Sequence, residues 1–159
     1  MFTFEPANYI ENTPKDSEFF VIFEQNILTF SNENFIRPIS QDELNWSYVE
    51  EKERHFLGYL NNKPCFVLLA KKNQCELEHS VFIDMRSALV RMPDQLFDVI
   101  ARSIQIINWS KDHKFCGACG DELDRHPKER AYFKKDCIQC KGQLVYPRIS
   151  PCVITLIYK

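Results

Sequence analysis

Four of the seven cysteines fall into two C-x2-C pairs, Cys116-Gly117-Ala118-Cys119 and Cys137-Ile138-Gln139-Cys140, separated by 17 residues. Each pair can turn two thiolates toward one ion. Two such turns complete a tetrahedral four-sulfur shell. Gly120 and Gly142 supply backbone freedom just after each pair. A closed shell has no open position for water, so the metal it predicts is structural, and its binding energy helps fold a piece too small to fold alone. The spacing favours zinc. Iron suits the same four sulfurs, and two disulfides or four free thiols are the remaining alternatives. The odd cysteine count, with no basic-then-apolar leader at the N-terminus, argues against a secreted disulfide framework. Cys65 and Cys152 lie in apolar runs and read as buried small side chains, and Cys75 has no evident partner. With four thiolates present, His113 and His126 read as surface histidines.

Between the pairs, residues 125–135 interleave Arg125, Lys128, Arg130, Lys134 and Lys135 with Tyr132 and Phe133. Cations among aromatics can neutralise a phosphate and stack a base. The same composition also describes a charged hairpin with its aromatics packed inward, which composition alone favours. The charge is uneven: residues 1–110 hold 10 Lys and Arg against 16 Asp and Glu, whereas residues 111–159 hold 10 against 6. A whole-chain polycation is excluded, but the last third could face an anion.

The elements that must position these residues are legible upstream. Phe19 to Phe30 reads as a hairpin turning at Glu24-Gln25-Asn26. Ser40 to Glu43 reads as a capping box opening a short helix through about Val49. His55 to Ala70 gives a second hairpin, with Asn61 to Pro64 as its turn. Leu77 to Met85 is a third strand segment. Met92 to Ser110 is the clearest helix: Pro93 suits its first turn, Asp94 and Asp98 suit its positive end, and Leu96, Ile100, Ile104 and Ile107 recur on one face. It leads straight into the first cysteine pair.

The chain has 159 residues, 45% apolar and 26% charged, with 13 Phe and 4 Gly, the composition of a globular domain rather than of a disordered or collagenous one. No apolar run is long enough to span a bilayer. The predicted class is α+β: a small N-terminal domain of β-hairpins and helices over 1–112, a four-cysteine zinc ribbon over 113–146, and an apolar strand opening a further unit over 147–159. Val153 to Tyr158 would be an uncovered edge strand if nothing followed, so a continuing chain is expected.

His113-Lys114-Phe115-Cys116-Gly117-Ala118-Cys119-Gly120, the second cysteine pair, and Val145-Tyr146-Pro147-Arg148-Ile149-Ser150-Pro151-Cys152-Val153-Ile154 resemble the NADH pyrophosphatases of the Nudix superfamily. In that family a divergent N-terminal domain and a zinc ribbon precede the Nudix domain. The resemblance implies hydrolysis of the NADH or NAD pyrophosphate to nicotinamide mononucleotide and AMP, with NAD-capped RNA as a further substrate, and a homodimer. Reduced thiolates and the missing export signal make the cytoplasm the expected compartment. It implies that Tyr146 and Glu129 contact substrate, and that Arg148 meets a phosphate or flanks the junction. Tyr146 has the alternative role of packing the ribbon against the next unit. The magnesium- or manganese-binding Nudix box, with its spaced glutamates, does not occur in these 159 residues. The chain alone is therefore expected to be inactive, serving as scaffold, dimerisation element and pocket border. The rival reading is a non-enzymatic ribbon that binds RNA or a protein partner.

Overall fold

A computed structural model describes residues 2–12, 14–72, 77–135, 138–139, 141–148 and 155. Seven strands form one sheet: β1 (Phe4–Pro6), β2 (Glu18–Phe23), β3 (Asn26–Phe30), β4 (Ile39–Ser40), β5 (Val49–Leu60), β6 (Lys63–Ala70) and β7 (Ser80–Asp84). Their order is β1-β5-β6-β2-β3-β7, with β4 paired to β2 off this path. Two helices follow, α1 (Met85–Arg91) and α2 (Phe97–Asp112), and then a two-stranded ribbon of β8 (Asp124–Arg125) and β9 (Tyr132–Phe133). The α+β class expected from the sequence is the one observed. Among the described residues no helix is long and apolar enough to cross a membrane.

Both expected hairpins form. Glu24 takes a left-handed φ of 54° in the β2–β3 turn, and Asn61 and Asn62 take 50° and 64° in the β5–β6 turn. The second turn is tighter than expected, because Lys63 and Pro64 already belong to β6 and pair with Leu60 and Tyr59. At the centre of the sheet β2 runs parallel to β6, in register from Glu18 with Cys65 to Ile22 with Leu69. A strand buried on both faces reads as an unbroken apolar run, and β2 behaves so. Phe20 and Ile22 join the core beneath the helices, while Phe19 and Val21 join a second core that includes Ile39, Leu44, Phe56 and Phe66. Cys65 is buried in the first, as expected.

Two expectations are corrected. No α-helix spans 40–49. The reach-back of the capping box exists, since Glu43 accepts from the Ser40 N–H and hydroxyl at 2.9 Å each. The Arg37 guanidinium grips the same carboxylate at 2.8 and 3.0 Å and holds it down at about 2. The chain then makes a 3-10 turn at Trp46–Tyr48, capped by Asn45, and Val49 enters β5 opposite Ala70. Burial of Leu44 and Val49 in the second core outweighs the local helical signal. The helix expected over Met92 to Ser110 starts only at Phe97 and runs to Asp112. Asp84 caps α1 through the Arg86 and Ser87 N–H groups, at 3.0 and 3.1 Å, so the strand segment expected over Leu77 to Met85 spans only Ser80–Asp84. Pro93 then separates α1 from a 3-10 turn at Asp94–Leu96, from which α2 starts.

Gly58 is the position that lets β1 lie against β5. It sits at a register shift with φ +145°, and a Cβ there would stand 2.1 Å from the Glu5 carbonyl oxygen and 2.8 Å from the Ala7 nitrogen. Both neighbours are backbone, so no side-chain rotation relieves the clash. Gly58→Ala is expected to destabilise the fold by roughly 2 kcal/mol or more in urea titration. An unchanged midpoint would show that β1 is free to move away.

Candidate functional site

The ribbon grows directly from the end of α2. Cys116 follows four residues after Asp112, and the first cysteine pair closes a tight turn: the Gly120 N–H donates to the Cys116 carbonyl and the Cys116 N–H to the Asp121 carbonyl, both at 2.8 Å. Gly120 takes φ +76°, the left-handed geometry expected of it. Cys116 is buried in the main core with Leu123 and Tyr132, and Cys119 packs at its border. Cys137, Cys140 and Cys152 lie outside the described residues. Gly142, just past the second pair, also has a left-handed φ, of 69°. The turn at 116–120 fits the two-thiolate half of a four-sulfur site.

The hairpin between the pairs turns inward. Tyr132 is buried and stacks on Trp109 at the end of α2, with ring centroids 4.8 Å apart. Its hydroxyl lies 2.7 Å from the hydroxyl of Ser110, which donates to Glu53 on β5 at 2.6 Å. Glu53 also takes an ion pair from Lys114 at 3.0 Å and faces the imidazole of His55 at 3.4 Å. Arg125 donates to the carbonyls of Lys52 and Arg54 at 2.8 Å each. Arg130 donates to the carbonyls of Ala7, at 2.7 Å, and of Phe56. Two of the five cations in this loop are therefore fixed on main-chain oxygens of the N-terminal sheet. His113 is half-buried, bonded to the Trp109 carbonyl at 2.9 Å, and His126 packs edge-on to Phe133, so neither is a freely exposed surface histidine.

This polar seam has shifted titrations. Contacts with His55, then Ser110 and Lys114, hold Glu53 well below the usual carboxylate range despite partial burial. Burial, aided by the charges of Arg125 and Arg130, pushes His55 down to about 4. His55 is thus neutral in the fold at pH 7. Its Nε2 also lies 3.3 Å from the Arg125 guanidinium, and in neither tautomer can that nitrogen both accept from Arg125 and donate to Glu53. Arg130 is lowered to about 10, first by burial and then by Arg102.

The chain after the second pair returns to the hairpin, where Val145 and Tyr132 exchange backbone hydrogen bonds at 2.8 and 3.0 Å. That bridge carries Tyr146 to Glu129, and the Tyr146 hydroxyl donates to the Glu129 carboxylate. The two residues singled out for substrate contact are thereby brought together. The hydrogen bond raises the Tyr146 phenol above its ordinary value. Tyr146 is 46% exposed and so is not packed away. Both residues line a cavity of about 330 Å3 together with Arg102 of α2, Lys128, Arg130 and Arg148. Asn8 stands in its wall and accepts from Arg130 at 3.0 Å and Arg102 at 3.2 Å. Sequence reasoning found Tyr146, Glu129 and Arg148 but missed Asn8 and Arg102. Arg102 was legible only as a cation on the helix; its place at the pocket needs the packing of α2 against the ribbon.

Residues 17–109 match the model of the NADH pyrophosphatase-like rudimentary NUDIX domain, which is more than half of the chain. The chain belongs to this family. Among curated relatives, the NAD-capped RNA hydrolase NudC of Pseudomonas fluorescens Pf0-1 is 30% identical over 103 residues, covering 65% of this chain and 36% of the relative. The protein of the same name from Deinococcus radiodurans is 32% identical over 102 residues, covering 64% and 34%. That of Pseudomonas syringae pv. tomato is 29% identical over 113 residues, covering 67% and 36%. The chain thus spans about a third of the length of the NudC relatives it matches. The matched residues hold β2 to β7, α1 and most of α2, including Trp109, on which Tyr132 of the hairpin stacks.

The titration of His55 gives this seam a pH dependence. The unfolded histidine binds a proton near 6.5 and the folded one near 4, so between those values acid favours unfolding. Glu53, held below its unfolded value of 4.5, extends the loss of stability to lower pH. Lowering the pH from 7 to 5 is expected to cost wild-type protein about 2 kcal/mol through His55. His55→Gln should lose correspondingly less across the same interval in urea titrations. Equal losses in the two proteins would contradict a buried neutral His55.

Proposed function

We propose that this chain is the N-terminal and zinc-ribbon part of an NADH pyrophosphatase-like Nudix hydrolase that splits NADH or NAD, or the NAD cap of RNA, into nicotinamide mononucleotide and an AMP moiety. The observation that carries this reading is the Tyr146–Glu129 hydrogen bond in an open, cation-lined cavity. A phenol and a carboxylate beside a cavity can orient a nucleotide ring or sugar. The family membership and the names of the NudC relatives support the substrate class. In this reading residues 1–112 are a scaffold and dimerisation domain, 113–146 the ribbon, and 147–159 the first strand of a Nudix domain. Magnesium or manganese would be held by that Nudix domain, and the present segment would border the pocket without cleaving substrate. The compartment would be the cytoplasm.

Cys116, Cys119, Cys137 and Cys140 would hold one structural zinc. The ion would tie the 116–120 turn to the chain beyond the hairpin, fixing the return that brings Tyr146 to Glu129. Iron is the competing occupant of the same donors. Cys116→Ser is expected to drop bound zinc from about one ion per chain to well below half, measured by plasma mass spectrometry on chelator-washed protein. Full retention of metal would overturn the four-cysteine site.

The rival reading, a ribbon that binds RNA or protein without chemistry, is disfavoured by the side chains of its own loop. Arg125 and Arg130 are fixed on backbone carbonyls, and Tyr132 is buried against Trp109. The test is NADH binding to the 159-residue chain by calorimetry, with Tyr146→Phe and Glu129→Gln each weakening it about three- to tenfold. Added magnesium or manganese should produce no turnover. Binding unaffected by both substitutions would remove the pocket assignment, and turnover by the chain alone would remove the assignment of catalysis to a further domain.

A further inference from the structure

Among the described residues, Arg102, Lys128, Arg130 and Arg148 form no ion pair with a carboxylate within 4 Å. These four cations line the cavity with Glu129 as its one acidic side chain, and that carboxylate already accepts from Tyr146. Arg102 and Arg130 come from different parts of the chain, α2 and the ribbon hairpin. They converge on a single neutral oxygen, Asn8 Oδ1, at 3.2 and 3.0 Å. Two guanidinium groups on one amide oxygen repel each other, and Arg102 contributes to the lowering of Arg130. An anion placed between them would relieve that repulsion and use the remaining N–H donors of the fork, the geometry that guanidinium offers to phosphate. A volume of about 330 Å3 lies in the range of small-ligand pockets.

We propose that this cavity seats a phosphate ester of the bound nucleotide, with Arg102 of α2 and Arg148 after the ribbon as the residues that read it. This deepens the proposed function and rests on it. It gives the rudimentary Nudix domain a ligand contact of its own, since Arg102 lies within the matched region. The phosphate could belong to the nicotinamide or the adenosine half of a dinucleotide; the shared chemistry is a phosphate on a nucleoside 5′ carbon. Arg130, half-buried and held by the carbonyls of Ala7 and Phe56, braces the site, while the exposed Lys128 adds field.

The test is calorimetry on the 159-residue chain with two ligand pairs, nicotinamide mononucleotide against nicotinamide riboside and AMP against adenosine. In at least one pair the phosphorylated member is expected to bind at least tenfold tighter, and raised salt should shrink that preference. Which pair responds identifies the half of the dinucleotide seated there. Arg102→Gln and Arg148→Gln should each cut the preference to about twofold, and Arg102→Lys should restore part of it. Melting curves of the variants separate this effect from loss of fold. Equal binding within both pairs, or a preference untouched by Arg102→Gln and Arg148→Gln in folded protein, would overturn the phosphate seat even if NADH binding still depends on Tyr146. A preference that depends on Arg102, alongside NADH binding indifferent to Tyr146 and Glu129, would uphold the seat and remove the dinucleotide reading of the pocket.

Discussion

The stack of Tyr132 on Trp109 is the joint on which the arrangement of this protein depends. It buries two large rings where α2 ends and the ribbon begins. Around it the Tyr132 hydroxyl reaches Ser110, Ser110 reaches Glu53, and Lys114 closes on the same carboxylate, while the Trp109 indole N–H is buried with no hydrogen-bond partner among the described residues. A ribbon of two-residue strands has almost no core of its own. Stacking Tyr132 on α2 and anchoring two arginines on the carbonyls of β1's exit and β5 gives it one, and it fixes the hairpin in a single orientation. The position of Glu129, at the tip of that hairpin, follows from this docking. So does the position of Tyr146, because the Val145–Tyr132 bridge extends from the same anchored strand.

The same joint ties the N-terminal sheet to the pocket. Gly58 lets β1 cross over β5, and the chain leaving β1 presents the Ala7 carbonyl and the Asn8 amide to Arg130. Asn8 in turn meets Arg102 from α2. Three segments far apart in sequence therefore meet at one wall. The family match runs from β2 into α2, while β1 and Asn8 precede it and the hairpin and Tyr146 follow it. The pocket lies on the boundary between the matched region and the hairpin, which is where small-molecule sites commonly form.

Much of the fold was legible because its signals are local. Apolar runs flanking Glu24-Gln25-Asn26 and Asn61-Asn62 specify hairpins through the turn residues between them. The apolar face from Leu96 to Ile107 specifies a helix by its period. The region 40–49 failed for the opposite reason. Its capping box does form hydrogen bonds, but Arg37 and the burial of Leu44 and Val49 decide the backbone, and those contacts come from outside the segment. The parallel pairing of β2 with β6 was invisible for the same cause, since nothing within either strand names a partner more than forty residues away.

By itself, the sequence determined the class of the fold, the turn and spacing of the first cysteine pair, and the family resemblance carried by residues 113–120 and 145–154. It also pointed to Tyr146 and Glu129, through that resemblance. Only the tertiary structure decided that these two side chains meet, that the aromatics and two arginines of the hairpin face inward, and that Arg102 and Asn8 stand beside them. Turn geometry and hydrophobic period are properties of neighbouring residues, so a sequence states them directly. Which cations converge on one pocket wall is set by the docking of distant surfaces, and no local pattern records it.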